Sequence, residues 1–447
     1  MQSYRGRRVL VAGAAVAGAA AARVLLDLGA ELTVVDRTPS ARTEELAAAG
    51  ARVLIGDALP DLSTVDDVVV SPGFAPHHPL AAAAVGAGLD VYSEPELAWR
   101  LRGPDAPPWL AITGTNGKTT TTTMLAAILR AAGLRSDALG NIGTPLVPVS
   151  ADRSSYDVLA VELSSFQLHW SRDLAPEGGA LLNLADDHLD WHGTFDAYTD
   201  AKTRIWRAAG GIAVGNVDDP RVAALLPPDG IGVTTGVPAA GQLGVVDGML
   251  VDRSGAALVA ADVIRPVGTH NVSNALHAAA LALGYGVPAV AVAGGLTGYT
   301  PEPHRNAYVA TVDGVDYVDD SKATNPHAAF ASLTAYPRIV WIAGGQLKGV
   351  AVDDLVARVA DRLAGAVLLG VDRAEIATAL ARHAPGLPVV DVASTDDGAM
   401  GEVVRAAAAL AKPGDTVLLA PAAASLDMFA SYAKRGDAFA SAVRALR

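Results

Sequence analysis

The sequence predicts an α/β protein of three domains, with doubly wound parallel sheets at both ends and a phosphate-binding α/β domain between them. Three observations predict it. The chain has 447 residues, which suits about three domains of ~150 residues each. Short apolar runs alternate with helical stretches over 1–105 and again over 302–447. Between them, Trp109-Leu110-Ala111-Ile112 runs into Thr113-Gly114-Thr115-Asn116-Gly117-Lys118-Thr119, which reads as strand, glycine turn and helix start. The turn-rich Gly103-Pro104-Asp105-Ala106-Pro107-Pro108 reads as a linker, so the expected domains are 1–105, 106–301 and 302–447.

Composition narrows the function classes. A formal net charge of −13 without a Lys/Arg-rich run argues against nucleic acid or an anionic membrane as partner. No uncharged apolar run is long enough to span a bilayer, so no membrane insertion is expected. The absence of cysteine excludes a disulfide framework and thiolate metal sites and fits a cytoplasmic location. Arg5, Arg7 and Arg8 before the apolar run Val9 to Ala22 imitate a secretory leader. The pattern continues through Val24-Leu25-Leu26 to a stop at Gly29 and a second strand, so this stretch opens a βαβ unit instead. Of 34 lysines and arginines only six are lysine: Lys118, Lys202, Lys322, Lys348, Lys412 and Lys434. Where arginine serves as the generic cation, the remaining lysines are enriched for places that need a compact, titratable amine.

In the first segment the expected elements are a strand Val9 to Ala12, a helix to Leu28, a strand Leu32 to Val35, a helix to Ala49, and strands Arg52 to Ile55 and Val68 to Val70. This is a Rossmann-like order. Its first turn, Gly13-Ala14-Ala15-Val16-Ala17-Gly18, has alanine where a dinucleotide fingerprint has its second glycine, so a nucleotide site is plausible and a dehydrogenase is not favoured. Asp36, at the second strand's end, reads equally as a ligand contact or a strand cap. Ser71-Pro72-Gly73 forms a rigid turn at the same carboxyl edge.

The middle segment begins at the glycine turn. Backbone N–H groups there converge on anionic oxygens, Lys118 adds a point charge and the Thr119 hydroxyl suits Mg²⁺; Ile112 stands where the general pattern has its first glycine, so the loop is a shortened variant. The helix is expected to run to Ala132. Gly140-Asn141-Ile142-Gly143 is a second glycine turn, and a strand from Tyr156 to Val161 ends in Glu162, the usual position for a carboxylate holding a nucleotide's Mg²⁺. A strand Ala180 to Leu184 leads into Asp186-Asp187-His188, where His188 stands among acids, and a helix Phe195 to Arg207 carries Lys202. Residues 211–260 read as short strands with glycine turns. Gly268-Thr269-His270-Asn271 opens a helix Val272 to Leu283, with Asn271 either its N-cap or an adenine contact.

The last segment alternates again: a strand ending at Asp319, a helix from Pro326, strands Ile339 to Ala343, Ala366 to Leu369 and Val389 to Val392, a long Ala-rich helix, a strand Thr416 to Ala420 and a closing helix. Three loops, at Asp320 to Asn325, Gly344 to Lys348 and Ala424 to Asp427, fall at one edge of one sheet, where their polar residues converge.

These motifs resemble those of the Mur ligases across all three domains: Thr113 to Thr119, Gly140 to Gly143, Glu162-Leu163-Ser164-Ser165-Phe166-Gln167-Leu168, Asp187-His188, Ala201-Lys202, Pro303-His304-Arg305 and Asp320-Ser321-Lys322-Ala323-Thr324-Asn325. The Glu162 and Asp320 motifs are similar to those of the branch that uses ATP to add D-glutamate to UDP-N-acetylmuramoyl-L-alanine. The resemblance implies that Gly114, Thr115, Asn116, Gly117, Lys118, Thr119 and Thr120 cradle the ATP phosphates, with Asn271, His304, Arg305 and Asp320 also around ATP. It implies two Mg²⁺ ions, one on Thr119 and Glu162 and one on His188 and Lys202, the lysine carbamylated by CO₂; only a deprotonated primary amine does this, so arginine could not replace it. Lys118, His188 and Lys202 are the implied catalytic residues.

For the UDP substrate the resemblance implies Val16, Ala17, Asp36, Arg37, Ser71, Pro72 and Gly73, with Asn141 and His188 nearer the reacting end. For D-glutamate it implies Lys322, Thr324, Lys348, Ser425 and Leu426, with Tyr432 at the position of an expected aromatic. Gln346 departs from the Asp that some members carry. A monomer is expected, with closure of the C-terminal domain completing the site. Among other classes, a folylpolyglutamate-type ligase is opposed by the complete N-terminal sheet, and a non-catalytic nucleotide-binding module predicts ATP binding without substrate-dependent phosphate release.

Overall fold

The computed structural model describes residues 3–151, 155–208, 211–394 and 396–446. Its strands form four sheets, three of them mostly or wholly parallel and fed by helices. The chain divides into two compact units, Met1–Ala261 with Ser273–Gly298, and Asp262–Val272 with Tyr299–Arg447. The first unit holds the first three sheets and the second unit the fourth. Among the described residues no helix is long and apolar enough to cross a membrane.

The first sheet has five parallel strands in the spatial order Arg52–Ile55, Glu31–Asp36, Arg8–Ala12, Asp67–Val70, Asp90–Ser93. Strand order reverses around Arg8–Ala12, so the turns after Ala12 and Val70 open side by side at the carboxyl edge. Ala15 has an ordinary extended backbone (φ −68°, ψ −165°) at the N-cap of helix Val16–Asp27 and needs no glycine. Gly18 does: a Cβ there would overlap the Gly13 carbonyl oxygen. The sequence reading assigned nothing to 79–101, where the structure has helix Pro79–Gly86, the edge strand and helix Glu94–Leu101. The alanine run Ala81 to Ala84 hides the helical period, and the Ser93 cap, whose side chain accepts from Glu96 N, is visible only once the strand before it is known.

The second sheet has six parallel strands, in the order Ile231–Val233, Ile212–Asn216, Gly178–Leu181, Trp109–Thr113, Leu159–Glu162, Ala138–Gly140. The strand expected from Tyr156 starts at Leu159, because Asp157 is occupied with the backbone and guanidinium of Arg135. The strand expected to reach Leu184 ends at Leu181, where Leu182 and Asn183 turn their backbone toward Thr113 and Thr115. The helix expected from Phe195 to Arg207 ends at Thr203 and tightens into a 3₁₀ turn, Arg204–Trp206. Residues 211–260 are not strands alone, since helix Pro220–Leu225 lies within them, capped by Asp219 with proline at its start. The expected short strands about a glycine turn are present. Gly244–Val246 and Met249–Val251 pair antiparallel about Asp247 and Gly248, both at positive φ (49° and 75°), and Ala257–Ala260 adds a third strand.

The fourth sheet runs Ala307–Val312, Val315–Asp319, Thr416–Leu419, Ile339–Gly344, Leu363–Leu369, Val389–Asp391. Its first pair is antiparallel and the rest parallel, so the expected doubly wound sheet carries a hairpin edge that the sequence reading did not assign. The signal was there: Asp313-Gly314, again both at positive φ. The helix after Gly268 spans Thr269–Tyr285, so Asn271 lies inside its first turn and is not the N-cap; the Gly268 carbonyl accepts from the N–H groups of Asn271 and Val272.

Candidate functional site

Strand Trp109–Thr113 is wholly buried and delivers the glycine turn to the second sheet's carboxyl edge, where helix Lys118–Ala131 begins. Gly117 is left-handed (φ 83°), and a Cβ on it would press on the Asn274 side chain. The turn is stitched to its neighbours. Thr115 N donates to Asn183 O (3.0 Å), Asn116 N to Asn183 Oδ1 (2.9 Å), and Thr115 Oγ1 lies 2.7 Å from Tyr198 Oη and accepts from Ala185 N (3.0 Å). The N–H groups of Thr115 and Asn116 are thus taken up by protein, and the turn leads into the N-terminus of helix Lys118–Ala131, the end of a helix that suits an anion. The first intrahelical bond comes later, from Thr121 N to Gly117 O.

Two lysine amines meet at one carbonyl oxygen. Lys118 Nζ donates to Gly114 O (2.9 Å) and Thr115 O (2.8 Å), and Lys202 Nζ donates to the same Gly114 O (2.7 Å). Lys202 is buried on helix Phe195–Thr203, its amine 4.8 Å from the ring centre of Tyr198 one turn earlier. Burial first, and then the Lys118 charge, hold Lys202 far below the usual lysine range, toward the neutral amine. Beside them, Thr119 Oγ1 donates to Glu162 Oε2 (2.7 Å) and Asn141 Nδ2 to Glu162 Oε1 (2.8 Å).

His188, left-handed at φ 54°, stands 3.5 Å from Asp187 Oδ2 and against the Phe166 ring. Burial lowers its pKa despite Asp187, with Lys118 and Lys202 adding to the effect. Lys118, Thr119, Asn141, Glu162, His188 and Lys202 therefore share one neighbourhood. Among the described residues no three His, Cys, Asp or Glu side chains group as a metal cage. The hydroxyl and carboxylate oxygens of Thr119 and Glu162 fit Mg²⁺, which keeps several waters and takes few protein ligands.

At the first sheet, Ser71 Oγ donates to Gly13 O (3.0 Å), bringing the Ser71-Pro72-Gly73 turn against the first turn. The Asp36 carboxylate accepts from Ala14 N (2.6 Å), so it fastens that turn, while Arg37 pairs with Asp57 in the open. Trp191 Nε1 donates to Pro72 O (3.0 Å) and Trp170 Nε1 to Phe74 O (3.1 Å). Ala17, Pro72, Phe166 and Gln167 line one narrow cavity there, and Val16 stays exposed.

In the second unit Asp320 is buried, accepting from Asn306 N (3.1 Å) and Ser332 Oγ; burial raises its carboxyl to about 6. Asn271 Nδ2 donates to Val267 O (3.2 Å), as does Asn306 Nδ2 (3.0 Å), which gathers Asn271 and Asp320 about one segment. His304 Nδ1 lies 2.6 Å from Asp319 Oδ2, with Arg305 following it. The three loops do share an edge: the backbones of Gln346 and Ala424 exchange bonds of 2.9 Å, and Ser321 Oγ donates to Tyr432 O (2.7 Å). Lys322 Nζ sits 4.0 Å over the Tyr432 ring, Ser425 is buried, Lys348 is left-handed (φ 55°) and Leu426 is exposed. Thr324 follows on the first loop, its N–H donating to Lys322 O (2.8 Å).

Sequence reasoning missed the residues that hold these groups. Asn183 and Tyr198 hold the glycine turn, and Tyr198 was findable because it precedes Lys202 by four on a helix. Arg435 joins the three loops: its buried guanidinium donates to Ser321 Oγ (3.0 Å), Ser321 O (2.9 Å), Ala423 O (3.1 Å) and Gly344 O (3.3 Å). Nothing local in the sequence marks it.

Residues 112–282 match the Mur ligase middle domain and 304–423 the Mur ligase glutamate ligase domain. A UDP-N-acetylmuramoylalanine–D-glutamate ligase of Streptomyces avermitilis is 52% identical over all of both chains. One of Thermobifida fusca is 53% identical over 99% of each, and one of Mycobacterium avium 51% identical over 98% of this chain and 97% of its own. Among solved structures, a UDP-N-acetylmuramate–alanine ligase of Thermotoga maritima covers 98% of this chain and 100% of its own with TM-score 0.61 at 17% identity. A type C pseudomurein peptide ligase of Methanothermus fervidus covers 99% and 100% with TM-score 0.59 at 20% identity. These two share the fold.

Proposed function

This chain belongs to the Mur ligase family, and from that premise we propose that it joins D-glutamate to UDP-N-acetylmuramoyl-L-alanine with ATP and Mg²⁺ in peptidoglycan synthesis. The observation that carries the chemistry is the meeting of Lys118 and Lys202 at Gly114 O beside the Thr119–Glu162 contact. The γ-phosphoryl group of ATP passes to the substrate's L-alanyl carboxylate, and ADP leaves. The amine of D-glutamate then attacks the acyl phosphate, losing a proton, and phosphate departs as the amide forms.

In this reading Lys118, with the first-turn N–H groups, moves from its carbonyl contacts onto the phosphates. Thr119 and Glu162 hold one Mg²⁺, and His188 with a carbamylated Lys202 holds a second; the ions supply charge neutralisation where carboxylate meets triphosphate. The neutral amine of Lys202 is the form that adds CO₂. Asn271, His304, Arg305 and Asp320 serve ATP. Asp36, Arg37 and the Ser71 turn receive the UDP group. Lys322, Thr324, Lys348, Ser425, Leu426 and Tyr432 receive D-glutamate, whose two carboxylates need cations and donors. We assign 1–105, 106–301 and 302–447 as the three functional domains of a cytoplasmic monomer.

The test is phosphate release from Mg-ATP with UDP-N-acetylmuramoyl-L-alanine and, in turn, D-glutamate, L-glutamate, L-alanine and glycine. Release with D-glutamate alone is expected. Release with none, or with another amino acid, would reject the substrate assignment.

A further inference from the structure

We propose that the cleft between strand Asp90–Ser93 and residues 169–172 binds a small oxyanion ligand, phosphorylated or carboxylated, that carries an apolar end. Its wall residue Trp170 also borders the cavity at the first sheet's turn, but none of its arginines belongs to the sites assigned above. Its volume is about 330 Å³, enough for a small metabolite. Val85, Leu89 and Trp170 supply an apolar wall, and Arg172, Arg204 and Arg207 line it with guanidinium groups, beside His169 and an Asp90 carboxylate that Arg100 engages at 2.7 Å.

Two of these arginines are fixed in place by backbone carbonyls. Arg204 Nη1 donates to Leu168 O (3.1 Å), Ser171 O (3.4 Å) and His169 O; Arg207 Nη1 donates to Ser171 O (2.8 Å) and Arg172 O (2.6 Å). The two like charges thus converge on the Ser171 carbonyl, at 3.4 Å and 2.8 Å. Neither forms an ion pair among the described residues, in contrast to neighbouring Arg100, which has Asp90 at 2.7 Å and Glu96 at 3.0 Å. Arg172 reaches only long contacts, Asp173 at 3.5 Å and Asp90 at 3.6 Å.

Holding the carbonyl end of the short helix Ser165–His169 uses one nitrogen of Arg204 and one of Arg207. Nε and Nη2 of each make no hydrogen bond among the described residues. Adjacent guanidinium groups, pre-set by backbone carbonyls and holding unused donors, form a receptor for an oxyanion. The apolar wall beside them selects a ligand with more than the anionic group.

The experiment titrates phenyl phosphate, benzoate and inorganic phosphate into full-length protein saturated with Mg²⁺ and a non-hydrolysable ATP analogue, read by calorimetry and tryptophan fluorescence. Saturable binding of phenyl phosphate or benzoate is expected, weakened about tenfold in the partly solvent-facing Arg207→Gln and unchanged in Lys348→Ala. The tighter of the two identifies the phosphorylated or the carboxylated class. Arg204→Gln should weaken binding as well, with a thermal melt separating lost binding from lost folding. No saturation, equal binding in Arg207→Gln, or loss in Lys348→Ala would overturn the site, and inorganic phosphate binding as tightly as phenyl phosphate would overturn its apolar half.

Discussion

The two carboxyl-edge sites of this chain are built by opposite means. In the first unit the groups proposed to react share their acceptors, Lys118 and Lys202 at Gly114 O and Thr119 and Asn141 at the Glu162 carboxylate, with Asn183 and Tyr198 bracing the turn. In the second unit a single side chain, Arg435, ties Ser321, Gly344 and Ala423 together, and the residues proposed for recognition stand apart from that tie, Leu426 being 65% exposed. Where reactive groups are also the scaffold, changing one alters chemistry and structure together. Where a separate residue supplies the scaffold, recognition can vary while the fold stays.

The largest effects should fall in the first unit. Lys118→Ala is expected to lower kcat by ~10³-fold, the scale of removing a preorganised cation from developing phosphoryl charge. Lys202→Ala should lose a similar factor and regain part of it with added short-chain carboxylates; retention of full activity would break the first half of the comparison. Lys348→Ala, by contrast, should raise KM for D-glutamate and leave the urea midpoint unmoved. Next comes Arg435→Met. It strands several buried acceptors, each worth about 1–3 kcal/mol when left unsatisfied, so a stability loss of about 3 kcal/mol in urea unfolding and a raised KM for D-glutamate are expected together. If KM rises without the stability loss, Arg435 contacts ligand directly and the contrast between the units fails.

The same contrast explains what was legible in the sequence. Glycine turns, strand-end acids and four of the six lysines, Lys118, Lys202, Lys322 and Lys348, are local signals, and the structure gathers them near the carboxyl edges of the second and fourth sheets. Supports are long-range. Asn183 lies 67 positions from Asn116 and Arg435 lies 114 from Ser321, so no spacing announces them. Ala15 shows the reverse case: an apparent departure at the first turn is an extended N-cap at which glycine has no function. The edge hairpin at Asp313-Gly314 and helix Pro220–Leu225 are written in ordinary turn and cap residues, a two-residue turn and an Asp-Pro start.

Tyr198→Phe probes the first unit more gently. The hydroxyl lost is the one 2.7 Å from Thr115 Oγ1, and the ring facing Lys202 remains. A stability loss of about 1 kcal/mol is expected, with a fall in kcat that added bicarbonate does not restore, because the turn and not the amine is loosened. Restoration by bicarbonate would move the role of Tyr198 to Lys202.

The smallest effect is a pH dependence in the second unit. The bond to Asp319 is the main cause holding His304 above its usual 6.5, and burial opposes it. The folded protein therefore binds this proton more tightly than the unfolded chain. Its stabilisation is fully present below pH 6.5 and is lost as pH rises through the raised value. Wild-type stability minus that of His304→Gln, from urea unfolding without ligands, should be about 1 kcal/mol on the acid side and decline toward zero on the alkaline side. In the first unit burial pushes His188 and Lys202 the other way, toward their neutral forms. A difference that grows with pH would mean His304 is held neutral like them, and the two edges would share one electrostatic design.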